Sequence, residues 1–445
     1  MYEKYFYTEK RVILFFIQKN KCLNAAINMI EFSRFTLKNG LRVLVHEDNS
    51  TPMAAVNILY NVGARDESPD KTGFAHLFEH LMFGGSKNAP EFDDPIQMAG
   101  GECNAFTNSD ITNYYDLVPM ENLETVLWLE SDRMSSLNFS KKSLDVQRKV
   151  VVEEFKETCL NQPYGDVWHH LSDLAYKVHP YKVPTIGKVP KHVEDANLED
   201  VKEFFKKYYC PNNAILVIAG NIKPESAKKL VKNWFGDIPS GNVYQRNLKQ
   251  EPIQNEFRRK ENKANVPTNA LYLAFHMPGR VDDNYYSIDL LSDILGNGRS
   301  ARLYQRLMKE EQIFTQIDAY VTGYIDPGLL IVEGKPANGI SMEQAEAAIW
   351  KELETIKSEL VDERELAKIK NKMESSLEFS EASILNKAIN LAFFELLGDA
   401  ELINSEAVAY QNVTSADIHR VANEILIKEN CSELFYLAKK EKVKA

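Results

Sequence analysis

Two histidines and one glutamate within residues 76–80 have the residue types and the spacing of a metal-dependent hydrolytic site. His76 and His80 are four residues apart, so a helix would place both imidazoles on one face, where they could bind one metal ion. Glu79 would lie on the same side of that helix, where its carboxylate could accept a proton from water. Zinc lowers the pKa of a water ligand toward about 7, so these residues predict hydrolysis at neutral pH.

A catalytic zinc ion normally has three protein ligands and one open position, so a third ligand is required. The Glu-rich stretch at residues 153–157 supplies the candidates. If that stretch is helical, Val151 and Phe155 would pack inward, while Glu154 and Glu157 would lie about one turn apart. One of the two glutamates could bind the metal while the other orients a ligand. Because a Glu-rich helix is often only a solvated surface, the spacing leaves this ligand open.

The apolar spacing around these residues predicts the elements that must position them. Residues 72–83 have the spacing of a helix, and Asn39-Gly40 is a strong signal for a hairpin between two strands. Residues 54–60 and residues 214–220 are apolar enough for buried strands. The remaining predictions in this half are a pair of strands over residues 104–118 and helices over residues 123–134 and 143–160.

The second half of the chain repeats this order of elements. After a polar stretch with Pro and Gly, we expect strands at residues 270–275, 314–321 and 329–332 and helices at residues 285–295, 342–359 and 363–379. Aligning residues 76–84 with residues 289–297 superposes most apolar positions, but Asp289 and Asp293 replace the two histidines and Ser292 replaces the glutamate. The repeat predicts a duplicated domain in which only the first copy binds metal.

We therefore expect an α+β fold of two homologous domains, each a mostly antiparallel sheet covered by helices and related by a pseudo-two-fold duplication. The predicted divisions are an N-terminal extension at residues 1–28, a zinc-bearing domain at residues 29–240, a linker at residues 241–265 and a second domain, without metal ligands, at residues 266–445. The apolar run within the first 28 residues is shorter than the core of a secretory signal. That segment is interpreted as an extension, or as upstream translation of a chain whose natural start is Met29.

Composition excludes several broad classes of protein. The 445 residues are 44% hydrophobic and 26% charged, which is typical of globular domains rather than disordered or low-complexity chains. With 53 basic and 64 acidic residues, the net charge of −11 gives no sign of a nucleic-acid or membrane-surface partner. The five cysteines are scattered without a CxxC pair, which predicts a reducing, cytoplasmic location over the periplasm or secretion.

Together these residues resemble the inverted-zincin metallopeptidases, the family that includes pitrilysin, insulysin and mitochondrial processing peptidase. The H-x-x-E-H order of residues 76–80 is the signature of that family. The resemblance implies a zinc metalloendopeptidase with one Zn²⁺ per chain, bound by His76 and His80, and with Glu79 as the catalytic base. It extends from about residue 29 to about residue 426 and includes the stretches at residues 74–76, 100–107, 148–154, 179–187 and 208–220.

The resemblance also selects among the candidate ligands. In the family the third zinc ligand is a glutamate on a later helix, and the Val-Val-Val-x-Glu pattern beginning at Val150 selects Glu154. Another acidic residue normally lies seven positions earlier, where this chain has Gln147. Since the spacing from His80 is slightly shorter than usual, Glu157 stays an alternative ligand or a residue that orients one.

Residues 101–107 are similar to the family's edge strand beside the zinc, to which an extended substrate adds as a further strand. The resemblance therefore implies that Asn104, Ala105 and Phe106 contact the peptide substrate. Main-chain hydrogen bonds would supply much of that contact, which favours a loose sequence preference. Asn104 and Thr107 are also ordinary turn and strand residues, so the alternative is a purely structural role.

A second departure from the family concerns assembly. Active members usually place an Arg and, seven residues later, a Tyr from the second domain near the scissile bond, whereas this chain has Met308 and Thr315 at those positions. Arg306 and Tyr304 are nearby but out of register. Because some relatives divide these roles between two subunits, we expect a heterodimer in which this chain binds zinc and a homologous subunit supplies the Arg/Tyr pair. A homodimer is the alternative.

The sequence therefore predicts a zinc metalloendopeptidase that acts on peptides or unfolded segments. The competing hypothesis is a non-catalytic interaction subunit that keeps the peptidase fold. Glu79 argues against that hypothesis, because a structural subunit has no need of a general base. A structural zinc site is disfavoured, since such sites normally close all four positions with Cys or His.

Overall fold

A computed structural model describes residues 29–439, except Val243. The predicted extension at residues 1–28 lies outside the described residues. The remainder of the chain builds two sheets of mostly antiparallel strands, which follow one another along the sequence and are covered by helices. The predicted α+β fold class is confirmed.

The strands of the first sheet are β1 (Ser33–Thr36), β2 (Arg42–Glu47), β3 (Met53–Tyr60), β4 (Glu102–Thr107), β5 (Thr112–Pro119) and β6 (Ala214–Gly220). Their order across the sheet is β1-β2-β6-β3-β5-β4, and every neighbouring pair is antiparallel except β2 with β6. β3 and β6 are apolar along most of their length, because both of their faces are covered. The predicted hairpin is confirmed, since β1 and β2 are antiparallel and Gly40 has a φ of 88°, which suits glycine.

The α-helices of the first half are α1 (Phe74–Met82), α2 (Asp93–Met98), α3 (Leu123–Ser135), α4 (Lys141–Phe155), α5 (Val167–Ala175), α6 (Pro190–Glu194), α7 (Leu198–Tyr208) and α8 (Pro224–Phe235). Apolar faces of α1, α3, α4, α7 and α8 form the main core with one face of the sheet. The helix predicted over residues 143–160 is in two parts. α4 ends at Phe155, and the chain continues as a wider π-helical turn over Lys156–Asn161.

The second sheet consists of β7 (Arg258–Ala264), β8 (Ala270–Met277), β9 (Phe314–Val321), β10 (Gly328–Pro336) and β11 (Cys431–Ala438), in the order β7-β11-β8-β10-β9. Its helices are α9 (Tyr285–Leu295), α10 (Met342–Ser358), α11 (Glu363–Glu381), α12 (Ile384–Leu397), α13 (Glu406–Asn412) and α14 (Ser415–Ile425). The bounds of α9 and β9 coincide with the predicted ones. These two elements have regular apolar spacing from end to end.

Strand β7 corrects the predicted linker at residues 241–265. The sequence of β7 is almost entirely polar and reads as a solvated connection, yet its main chain pairs in parallel with β11 along its whole length. The side-chain pattern did not predict this strand, because main-chain hydrogen bonds to its one neighbour, β11, hold it at the sheet edge. Earlier in the same segment, Arg246 donates to both carboxylate oxygens of Asp66 at 2.8 and 2.9 Å, so the chain there is fastened to the first half. The other domain boundaries stay a prediction.

Apart from the additional edge strand β1, the two sheets have the same topology. Taken in chain order, β7 to β11 repeat β2 to β6, including the single parallel pair, which is β2 with β6 in one sheet and β7 with β11 in the other. The first helix follows the second of these strands in both copies, as α1 after β3 and as α9 after β8. This agreement supports the duplication predicted from the alignment of residues 76–84 with residues 289–297.

Each half of the chain places one helix on the sheet of the other half. α12, from the second half, packs Leu391 and Ala392 against Leu44 and Val217 in a separate core beneath the first sheet. α5, from the first half, packs in the same way against β8, β10 and β11. The exchange buries the second face of both sheets.

Two observations concern membrane association and disulfide bonding. Over residues 29–439 apart from Val243, the structure contains no helix that is long and apolar enough to cross a membrane. Cys103, Cys159, Cys210 and Cys431 are free thiols. The cytoplasmic location stays a prediction.

The helix exchange predicts that shortening a buried side chain of α12 destabilises the whole chain. Leu391 is fully buried, so we expect Leu391→Ala to lower the free energy of unfolding by about 2–5 kcal/mol, measured by urea denaturation. The control is Val408→Ala on α13, where the side chain is 56% exposed and the expected change is within about 0.5 kcal/mol. Equal effects of the two substitutions would contradict a structural role of α12 against the first sheet.

Candidate metal centre

Helix α1 holds the two histidines at the surface of the first core. Its apolar residues Leu77 and Phe78 are buried, so this face anchors the helix. His76 and His80 lie half-buried on the other side, together with Glu79. As the spacing predicts, two imidazoles and a carboxylate lie on one side of one helix.

The start of α1 is set by Gly73 and Glu67. Gly73 has a φ of 86°, and the carbonyl oxygen of Ile186 lies 2.9 Å from the point where a β-carbon on residue 73 would be, so glycine is required there. Glu67 accepts hydrogen bonds from the backbone N–H groups of Gly73 and Ala75 at 2.8 and 2.7 Å. It thereby caps the helix. Burial raises the pKa of Glu67 to about 8, against the lowering effect of these amides.

Sequence analysis did not identify Glu67. A capping side chain is normally sought at the residue just before the helix or in its first turn, whereas Glu67 is six residues before Gly73. The left-handed conformation of Gly73 turns the chain so that this distant carboxylate reaches the free amides. An acidic residue shortly before a glycine that opens a helix is the only signal, and it is a weak one.

Helix α4 brings a carboxylate to the histidines. Val151 and Phe155 are buried, and α4 lies in contact with α1. Glu154 Oε2 lies 3.4 Å from His80 Nε2 and 3.6 Å from His76 Nε2, and the two Nε2 atoms are 3.3 Å apart. In the part of the chain that the structure describes, these three residues form the one group of potential ligands whose atoms all lie within 4.8 Å of one another.

The electrostatics of His76 and Glu154 favour the protonation states that bind metal. Burial lowers the pKa of His76, with a further lowering by His80 and an opposing effect of Glu154. The hydrogen bond with His80 is the main cause that lowers the pKa of Glu154. A neutral imidazole and an ionised carboxylate are the forms that act as ligands. Two imidazole nitrogens and one carboxylate oxygen are a ligand set that fits a catalytic zinc ion, which has three protein ligands.

The structure distinguishes between the two candidate glutamates. Glu157 is exposed on the π-helical turn, where its Oε1 accepts a hydrogen bond from Asn161 Nδ2 at 3.3 Å. It is not a member of the three-residue group. The geometry therefore favours Glu154 over Glu157 as the third ligand.

The predicted substrate strand lies at an open edge. β4 pairs with β5 only, as far as the described residues show, so the outer main-chain groups of Asn104, Ala105 and Phe106 have no neighbouring strand. The Asn104 side chain is exposed, while Ala105 and Phe106 are half-buried. Because β4 contacts α1, an extended peptide on this edge would run beside the helix that holds the histidines.

The corresponding helix of the second half has no such group. Asp289 accepts a hydrogen bond from the Tyr410 hydroxyl at 2.5 Å, and burial raises its pKa to about 6. Asp293 accepts from Asn297 at 2.5 Å and lies 3.7 Å from Lys372 Nζ. These carboxylates therefore contribute to the internal packing of the second half.

Comparison with known proteins agrees with this division of the chain. The family model described as "Insulinase (Peptidase family M16)" matches residues 42–189, and the model described as "Peptidase M16 inactive domain" matches residues 195–373. The chain belongs to peptidase family M16. The first match contains all three residues of the metal group, and the second contains the helix with Asp289 and Asp293.

Two curated relatives and one solved structure show how far the similarity extends. The zinc protease PqqE of Helicobacter pylori is 29% identical over 404 residues, which cover 87% of this chain and 89% of the relative. The probable mitochondrial-processing peptidase subunit beta of Schizosaccharomyces pombe is 27% identical over 312 residues, which cover 66% of this chain and 67% of the relative. The crystal structure of a protease from Helicobacter pylori superposes with a TM-score of 0.86 at 28% identity, covering 91% of this chain and 99% of that one.

The group of His76, His80 and Glu154 predicts how two substitutions change the affinity for zinc. We expect Glu154→Gln to weaken the zinc affinity by at least about 100-fold, because a neutral amide replaces one of three ligands. Glu157→Gln is the matched control and should leave the affinity unchanged. Titration against a chelator and metal analysis of the dialysed proteins would measure both. A loss of zinc in the Glu157 variant with retention in the Glu154 variant would contradict the assignment.

Proposed function

We propose that this chain is a zinc-dependent metalloendopeptidase that hydrolyses peptides or unfolded segments. The observation that supports the proposal most is the convergence of His76, His80 and Glu154 beside a half-buried glutamate on the same helix. The open edge of β4 supplies a second argument, because no other strand of the described residues covers it and it lies in contact with that helix. An extended peptide would pair there in place of the bond that the Ala105 N–H now donates to Asn104 Oδ1 at 2.8 Å. Membership of family M16 agrees with a peptidase.

Each residue has a separate task in the proposed reaction. His76, His80 and Glu154 would hold the ion, which when bound supplies a Lewis acid and lowers the pKa of water. Glu79 accepts a proton from the attacking water and later donates it to the amine nitrogen, as the carbon–nitrogen bond of the peptide breaks. The outer edge of β4 holds the substrate main chain in an extended conformation, which orients the carbonyl that is attacked.

The role of Glu79 predicts a separation of binding from turnover. Glu79→Gln keeps the shape of the side chain but removes the base, so we expect zinc to remain bound while kcat falls by at least about 100-fold. Cleavage of a quenched fluorescent peptide and metal analysis of the same preparation would measure the two quantities. Glu157→Gln should behave like the unsubstituted protein in both assays. Turnover that survives in the Glu79 variant would rule out this residue as the base.

We further propose that the chain is the zinc-bearing subunit of a two-subunit enzyme. Met308 and Thr315 occupy the positions where active relatives usually have Arg and Tyr, and neither side chain can stabilise a developing oxyanion as those would. Arg306 does not compensate, because its Nε lies 3.3 Å from the Glu352 carboxylate within the second half. The similarity to a relative named as a beta subunit agrees with divided roles.

This second proposal predicts low activity of the isolated chain. Co-purification with a homologous chain that has the Arg/Tyr pair should raise kcat/KM by at least about 100-fold, because the partner would supply charge stabilisation to the transition state. A homodimer with full activity, measured by peptide cleavage and light scattering on the same sample, would contradict a requirement for a different subunit. In the isolated chain, Met308→Arg combined with Thr315→Tyr should restore part of the activity.

A further inference from the structure

The sequence contains three Asn-Gly pairs, at residues 39–40, 297–298 and 338–339. An asparagine before a glycine can lose its side-chain amide, because the backbone nitrogen of the glycine can attack the carbonyl carbon of the side chain. Glycine leaves this approach open, since it has no β-carbon. The reaction also requires that the side chain and the backbone N–H group are free to meet. The fold therefore decides which of the three pairs can react.

The first pair is fastened by hydrogen bonds from both reacting groups. Asn39 is 8% exposed, and its amide group donates to the backbone carbonyl oxygens of Phe235 and Ile238 at 2.7 and 2.9 Å. The N–H group of Gly40 donates to the carbonyl oxygen of Leu37 at 3.0 Å. Both groups would have to leave their hydrogen bonds inside a packed turn before they could react. We therefore expect this pair to be protected.

The second pair is exposed, yet hydrogen bonds also hold its reacting groups. Asn297 Nδ2 donates to Asp293 Oδ1 at 2.5 Å, and the N–H group of Gly298 donates to the carbonyl oxygen of Gly296 at 3.1 Å. The carbonyl oxygen of Asn297 accepts a further hydrogen bond from Lys372 Nζ at 3.3 Å. Exposure alone does not free the groups that would react in this pair.

The third pair combines exposure with two free reacting groups. Asn338 and Gly339 are exposed in the connection between β10 and α10. The N–H group of Ile340 donates to the carbonyl oxygen of Ala337 at 3.1 Å, so the pair lies at the centre of a turn, with a φ of 88° at Gly339. Among the described residues, none forms a hydrogen bond with the Asn338 side chain or with the Gly339 N–H group. Apart from the adjacent residues, no atom lies within 4 Å of the point where a β-carbon on residue 339 would be.

We propose that Asn338 is a site of spontaneous deamidation, at which the folded protein accumulates aspartyl and isoaspartyl residues. The Gly339 nitrogen forms a bond to the side-chain carbonyl carbon of Asn338. The amide nitrogen of the side chain takes the proton of the Gly339 N–H group and leaves as ammonia. Water then adds its hydroxyl to either carbonyl carbon of the cyclic imide and its proton to the imide nitrogen, which opens the ring. No oxidant or reductant takes part.

The products change the charge of the turn and, in one case, the length of its main chain. Each product adds one carboxylate three residues before Ser341, the N-cap of α10. Because negative charge is favourable near the N-terminus of a helix, the fold should tolerate the aspartyl product. The isoaspartyl product adds one carbon to the main chain of a turn that the Ala337 N–H group fastens to the carbonyl oxygen of Ile313 at 2.7 Å.

Incubation of the full-length protein in mildly alkaline buffer tests the site. Peptide mapping by mass spectrometry follows the conversion of Asn39, Asn297 and Asn338 with time. Each hydrogen bond that must break first slows the reaction by about fivefold, so in the folded protein we expect Asn338 to convert at least about tenfold faster than the other two. In concentrated urea the three rates should become similar, because each asparagine then has the same next residue and no fold to restrain it.

Two substitutions assign the acidic form of the protein that ion-exchange chromatography would resolve. Asn338→Gln should remove most of this form, because the longer side chain closes a larger ring and reacts more slowly. Asn297→Gln is the matched control and should leave its accumulation unchanged. Isoaspartyl residues are counted by the transfer of labelled methyl groups from S-adenosylmethionine with an isoaspartyl methyltransferase. Circular dichroism before the incubation confirms that both variants are folded.

Three results would overturn the assignment. The first is conversion of Asn297 or Asn39 at the rate of Asn338 in the folded protein. The second is a lead of Asn338 that persists unchanged in urea, because local sequence rather than the fold would then cause it. The third is an acidic form that accumulates equally in the Asn338→Gln variant. These measurements use neither zinc nor a peptide substrate, so their outcome is independent of the proposed function.

Discussion

The exchange of helices between the two sheets is the constraint on which the rest of the structure depends. β3 and β6 are apolar on both faces, so each sheet must be covered twice to exclude water. Helices of the same half cover one face, and the second face is covered by α12 on the first sheet and by α5 on the second. Burial of each large apolar side chain contributes about 1.5–3 kcal/mol. Neither half can complete its core without the other, and the two halves are thereby held in one arrangement.

A cluster of charges around the buried Arg65 and Asp110 favours one relative placement of the two halves. The guanidinium of Arg65 lies 2.8 Å from carboxylate oxygens of both Asp110 and Asp326, and the backbone N–H of Ile325 donates to Asp110 at 3.0 Å. Asp110 is in the turn between β4 and β5, and Asp326 is in the equivalent connection between β9 and β10. The two copies of the fold thus meet through corresponding turns. A buried charge without its partners is strongly unfavourable, so other ways of placing the halves are disfavoured.

The metal centre uses the duplicated fold asymmetrically. In the first copy, the buried face of α1 packs in the core and Glu67 caps its N-terminus. The opposite side of the helix can therefore present His76 and His80 beside Glu154. In the second copy, the equivalent carboxylates are engaged by Tyr410 and Asn297. One helix therefore presents ligands, while its counterpart stabilises its own half. The asymmetry agrees with the two different family models that match the chain.

The sequence by itself determined those features that depend on residues close together along the chain. The spacing of His76, Glu79 and His80 is a property of one helix, and α9 and β9 have their predicted bounds because apolar period and chain breaks lie within a few residues. The meeting of Glu154 with the histidines could be expected only through resemblance, since no local rule brings together side chains more than 70 residues apart. Strand β7 could not be recognised, because its pairing is made by main-chain groups that every residue has. The helix exchange and the cap by Glu67 were decided by tertiary structure alone. An apolar face or a free helix end specifies that it must be covered, and only the packed chain specifies which segment covers it.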